Sequence, residues 1–160
     1  MFRYVEAMWP LWFYVQVADP SEEGLTAHFD YLSSRMQARR QAPRDRRLAY
    51  VIQISPACFR QANAQERSLI ANWMQRDFKL MQDTAVGVGF VMNGALLRGA
   101  LTAVFWLART PVPYRVHGTL DQALSVAMTE LDNQGLRAPS LGRLPVHLLA
   151  DEVQRVIGSV

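Results

Sequence analysis

Leu48-Ala49-Tyr50-Val51-Ile52-Gln53-Ile54-Ser55-Pro56 is the stretch on which the fold turns. The near-continuous apolar character of residues 48–54 fits a strand buried on both faces, and such a strand belongs at the centre of a parallel sheet. Ser55-Pro56 ends it.

On the C-terminal side the pattern changes to helical spacing. Residues 63–82 carry an apolar stripe of Leu69, Ile70, Trp73, Met74, Leu80 and Met81, with Asn63 as N-cap and Glu66 completing a capping box. Residues 85–92 give a second buried strand, in which Gly87 and Gly89 share a face and would let a helix or a ligand approach the backbone. Asn93-Gly94 turns the chain into a third helix, 95–109, and Pro111 and Pro113 frame the exit into a short strand, 114–117. A fourth helix starts at Thr119, with Gln122 as its capping-box partner, and runs to Asn133 before Gly135 stops it. Residues 136–145 read as a linker, and 146–157 as a short amphipathic helix through Leu149, Val153, Val156 and Ile157.

On the N-terminal side, strands over 2–8 and 11–18 flank Trp9-Pro10 and predict an antiparallel hairpin. In the second of these, Leu11, Phe13, Val15 and Val17 form the core face, which leaves Trp12 and Tyr14 on a face in need of a cover. After Asp19-Pro20-Ser21 the first helix shows Leu25, Phe29, Leu32 and Met36 on one side, and an arginine-rich connection over 39–47 leads back to the central strand. The element order β-β-α-β-α-β-α-β-α implies a single α/β domain over 1–135. It holds a mixed, mostly parallel sheet of about five strands and four helices, with 136–160 as an appendage ending in a short C-terminal helix.

Composition narrows the function classes. At 160 residues, half of them apolar, the chain supports one core and no second domain. One cysteine, Cys58, makes no internal disulfide and suits a reducing, cytoplasmic setting; its reading is a packed small hydrophobe. The N-terminus lacks the pattern of a signal peptide, and the longest apolar run is too short to cross a bilayer, so no stable membrane insertion is expected. Net charge is +3, and six arginines fall within 35–47, but no aromatics interleave them, so no nucleic-acid partner is expected. His28, His117 and His147 are scattered without metal-ligand spacing, and neither a dinucleotide fingerprint nor a phosphate loop is present, so no metal or cofactor is expected.

Three sets of residues stand out. On the third helix Arg98, Thr102 and Arg109 share one narrow wedge flanked by Phe105 and Trp106, and everything else is apolar. This arc is wider than one sheet face covers, so part of it must meet helix 146–157, a second copy, or a different protein. Arg98, Thr102, Phe105, Trp106 and Arg109 are accordingly the candidate partner-binding residues. Asp77, placed within the apolar stripe of the second helix, is a candidate buried charge, best read as a structural ion pair with an arginine. Ser55, where the central strand meets the second helix, is a candidate phosphoacceptor.

The element order, with Gly24-Leu25-Thr26 opening the first helix and Arg98-Gly99-Ala100-Leu101-Thr102 in the third, resembles the STAS superfamily of anti-sigma-factor antagonists and its Sec14-like relatives. The likeness spans residues 2–131. It implies a non-catalytic domain that docks onto partner proteins, some members being switched by serine phosphorylation at the junction occupied here by Ser55. The family's Asp-Ser-Ser-Gly type of motif is absent, and proline follows Ser55. The expectation is therefore a non-enzymatic regulatory or scaffolding domain binding a protein partner or itself. The alternative is a small apolar ligand or nucleotide held at the strand ends, with Arg98 or the arginine-rich connection meeting an anionic group.

Overall fold

A computed structural model of the chain describes residues 2–6, 8–55, 62–92, 101, 103–107 and 109–136. Its elements, in order, are β1 (Phe2–Val5), β2 (Leu11–Gln16), α1 (Glu22–Arg39), α2 (Arg44–Arg47), β3 (Ala49–Ser55), α3 (Ala64–Arg76), α4 (Phe78–Thr84), β4 (Ala85–Met92), α5 (103–107), β5 (Tyr114–His117) and α6 (Leu120–Asn133). The five strands lie in chain order, β1-β2-β3-β4-β5, with β1 antiparallel to β2 and every later pair parallel. The single α/β domain and its mixed, mostly parallel sheet are those the sequence predicts. The expected helix 146–157 lies outside the described residues.

β3 is central, and its first four residues are all buried. Because each crossover steps to the next strand in the same direction, a common handedness sends the crossover helices to one face of the sheet. Leu32 and Met36 of α1, Ala71 and Met74 of α3, Met81 of α4 and Val104 of α5 accordingly pack with Trp12, Tyr14, Ala49 and Val51. On the opposite face Ala123, Leu124, Ala127, Met128 and Leu131 of α6 meet Leu11, Phe13, Tyr50, Ile52 and Val91. Trp12 and Tyr14 are thus buried rather than waiting for a cover. With β1 on one side and β3 on the other, β2 is an interior strand, and both of its faces are packed.

Local chemistry sets several boundaries. Ser21 caps α1 by accepting from the Gly24 amide at 3.1 Å. Asn63 and Glu66 form the reciprocal capping box of α3, at 2.9 and 2.8 Å. At α6 the Thr119 hydroxyl accepts from the Gln122 amide, yet the Gln122 side chain reaches back to the Gly118 amide at 3.1 Å instead of closing a box on Thr119. Gly135, at φ +64, ends that helix in the left-handed region that favours glycine.

Two expectations need correction. The predicted helix 63–82 is broken at Asp77, whose φ −102 and ψ 16 leave the helical well and separate α3 from α4. Gly87 and Gly89 admit neither a helix nor a ligand. The Tyr50 ring lies across both, and a Cβ on Gly87 would stand 2.8 Å from Tyr50 Cε2. The glycines make room for a neighbouring strand's aromatic ring.

Candidate functional site

Along the helix-covered face of the sheet the side chains leave a cavity of about 220 Å³. Its floor is Trp12 and Tyr14 of β2, Val51, Gln53 and Ser55 of β3, and Val88, Phe90 and Met92 of β4. Its roof comes from α1, α3, α4 and α5, including Leu25, His28, Trp73, Met74 and Phe105. The period of two along each strand puts these residues on one face, so Gln53 and Ser55, with Gln16 of β2, interrupt a largely apolar surface.

The polar groups in this face are largely committed to one another. Tyr14 donates its hydroxyl proton to Gln53 Oε1 at 2.9 Å, and Gln53 Nε2 donates to Ser55 Oγ at 3.3 Å. Tyr4 Oη and His28 Nδ1 share a hydrogen bond of 2.7 Å, while the His28 ring stacks on Phe2 with centroids 3.8 Å apart. Burial, followed by the positive N-terminus, pushes the His28 imidazole down to about 3, so the ring is neutral at physiological pH. Burial also raises the phenols of Tyr4, to about 12, and of Tyr14. Trp12 is the exception: its indole N–H is buried and has no hydrogen-bond partner among the described residues.

The chain brings the sequence-selected residues to different places. Ser55 lies buried at the cavity's strand-end side, so its hydroxyl faces the interior instead of a kinase. Asp77 accepts from Ser33 and Arg76 at the α3–α4 break. Burial alone would raise its carboxyl, but the Arg76 and Ser33 hydrogen bonds hold it below the usual range, as expected of a structural ion pair. Arg98, Thr102, Cys58 and His147 lie outside the described residues. His117 is buried with Nε2 unpartnered, and the described residues hold no group of three or more His, Cys, Asp or Glu arranged for a metal.

α5 shows two characters. Phe105 turns inward, packing against Tyr114 with centroids 4.1 Å apart and edge-on to Phe90 at 6.1 Å, so it forms part of the cavity wall. Its neighbour Trp106 is 86% exposed and Leu107 53%. The Phe105–Tyr114 contact sets them beside β5, where Tyr114 and Val116 are also exposed. Arg109 is exposed near the same end. Among the described residues no strand lies on the outer side of β5.

The arginine cluster is largely spent within the chain. Arg35 and Arg39 both bind Glu6, Arg39 also sits 3.7 Å over the Trp9 ring, Arg40 pairs with Asp83, and Arg44 donates to Gln134. These long-range pairings join the β1–β2 hairpin and α4 to α1, a result that helix periodicity alone does not reveal. Among the described residues no helix is long and apolar enough to cross a membrane. No protein-family model, curated protein or solved structure matches the chain.

Proposed function

We propose that this is a non-catalytic, STAS-like docking domain whose first partner is a second copy of itself, bound through Trp106, Leu107 and the outer edge of β5. The observation that carries the reading is the 86% exposure of Trp106 beside a strand edge that no other strand among the described residues covers. Large exposed aromatics are the residue type that dominates binding energy at interfaces.

The edge itself favours a copy. The Val88 amide donates to the Pro113 carbonyl at 3.0 Å, and main-chain groups alternate sides along a strand. Pro113 and Arg115 therefore turn theirs toward β4, while Tyr114 and Val116 turn theirs outward. A two-fold-related antiparallel strand then pairs Tyr114 with the copy's Val116 in both directions, apolar opposite apolar. Arg115 meets its own copy on the other face, where the Glu130 carboxylate, 3.5 Å from Arg115, offsets the like charges.

Sedimentation velocity tests the reading. The wild-type chain is expected to run as a dimer at micromolar concentration and Trp106→Glu as a monomer with unchanged circular dichroism. Truncation of such a residue weakens association by about 2–4 kcal/mol. A wild-type chain that stays monomeric over the accessible concentration range overturns the proposal.

A further inference from the structure

β5 carries a charge at the middle of its outer edge. Arg115 is the register partner of Gly89, and Gly89 of Ile52, which packs with α6, so the Arg115 side chain stands on the α6 face of the sheet. There its side chain is 62% exposed, and among the described residues Glu130 of α6 is the carboxylate that reaches it, at 3.5 Å. Tyr50 and His117 share this face. The Tyr50 phenol is raised by burial first and then by the Glu130 charge, with Arg115 opposing, and the His117 imidazole is lowered by burial first and then by Arg115. The edge therefore presents one positive and one negative group side by side at this point.

Pairing two β5 edges makes this arrangement matter. The outward main-chain groups of Tyr114 and Val116 would form the bonds, so Arg115 falls at the non-hydrogen-bonded position between them. At such positions opposite Cα atoms approach to about 4.5 Å and the side chains are closest. On a two-fold axis the residue opposite Arg115 is the copy's Arg115, and like charges directly opposite weaken an antiparallel pair. A guanidinium has five N–H donors in a planar fork, more than one carboxylate fills. Each arginine can keep its own Glu130 and turn its remaining donors to the copy's Glu130, and the four groups then alternate in sign around the axis.

We infer that Arg115 and Glu130 together determine which strand the β5 edge accepts, and that Glu130 is what admits a second copy with its own arginine. This rests on the proposed self-association through β5 and names the residues that choose the partner there. Specificity comes as much from disfavouring the wrong strand as from fitting the right one. A strand with a carboxylate opposite Arg115 would also face Glu130 and leave an excess of negative charge, whereas the copy brings one group of each sign.

Two variants of the full chain test it. Glu130→Gln leaves two uncompensated arginines face to face in the dimer, and the double variant Arg115→Glu with Glu130→Gln leaves two glutamates face to face. Both side chains are well exposed, so both variants are expected to keep the circular dichroism of the wild type. In sedimentation velocity the Glu130→Gln dimer is expected to dissociate about tenfold more readily than the wild type. Mixing the two variants sets arginine opposite glutamate. With one chain ¹⁵N-labelled and the species counted by native mass spectrometry, heterodimers are expected to exceed the roughly one half that random pairing gives. A wild-type chain that stays monomeric overturns self-association and this inference with it. A wild-type dimer that Glu130→Gln leaves equally tight, or a mixture that stays at random proportions, overturns this inference alone.

Discussion

Acidification should destabilise this protein through His28 before the carboxylates take part. The ring is 5% exposed, stacked on Phe2 and edge-on to Tyr14, and bonded to Tyr4. Its folded-state pKa falls from 6.5 to about 3, burial being the largest cause. The unfolded chain therefore binds a proton as pH drops through 6.5, while the folded chain does not until about 3. Between those limits the unfolded state holds the extra proton, so stability decreases with falling pH, by up to about 1.4 kcal/mol per pH unit. From pH 7 to pH 5 the loss is about 2 kcal/mol, a large share of the usual margin of a small domain. Urea unfolding followed by circular dichroism at pH 7, 6 and 5 measures it, with His28→Gln as the non-titrating control. His117, whose pKa is also lowered by burial and then by Arg115, acts with the same sign in both chains, so the gap between their curves isolates His28. The carboxylates Glu6, Asp77 and Asp83 have lowered values and contribute only below this window. If the two curves run parallel between pH 7 and 5, His28 is not a buried neutral histidine and the packing described around it is wrong.

Gly87→Ala should cost about 1–3 kcal/mol, because the new methyl must displace a Tyr50 ring held between β4 and α6, and Gly89→Ala, with the same ring at 3.3 Å, should cost less. Equal urea midpoints for Gly87→Ala and the wild type would show that the ring does not lie there. Glu6→Gln should cost about 1 kcal/mol near neutral pH, a small figure because the Arg35 side chain is 41% exposed. Burial raises the Glu6 carboxyl, but hydrogen bonds from Arg35, Tyr31 and Arg39 outweigh it and lower the folded value. Its stabilisation is therefore present above the ordinary carboxylate value of 4.5 and lost as pH falls through the lowered one, where the variant and wild-type midpoints should converge.

Much of the fold is written locally. The apolar run 48–54 becomes β3, residues 114–117 become β5 without a shift in boundary, and Asn63 and Gly135 mark helix ends because capping and positive φ depend on a few neighbouring residues. Properties set by distant neighbours are not legible in this way. Trp12 and Tyr14 read as half of an exposed face, since nothing in their own segment says that β3 will pair alongside and α1 will pack above. Asp77, at the break, is bonded by Ser33, forty-four residues away. Gly87 and Gly89 signal a close approach correctly, but the approaching group, Tyr50, is identified only by the strand register. The cavity is the least legible feature, being a deficit of volume summed over four helices and five strands. One signal was available: Gln53 and Ser55, two polar residues two apart in a central strand, mark the face where the packing differs.

A catalytic reading of the cavity meets an electrostatic objection. General acid–base work needs a group whose pKa lies near the working pH, and enzymes reach that by moving carboxylates up or lysines down. Here the displacements run the other way. His28, in the cavity wall, is driven to about 3; away from the wall Tyr4 is raised to about 12, while Glu6, Asp77 and Asp83 are held below their usual range by cationic partners. Around the cavity the hydroxyls of Tyr4 and Tyr14 are hydrogen-bonded to His28 and Gln53, and Glu66 accepts the Asn63 amide of its own helix cap. These groups hold their protons too firmly, or too loosely, to exchange them near neutral pH. Fixed in this way, the described groups support the proposal that the chain acts by binding.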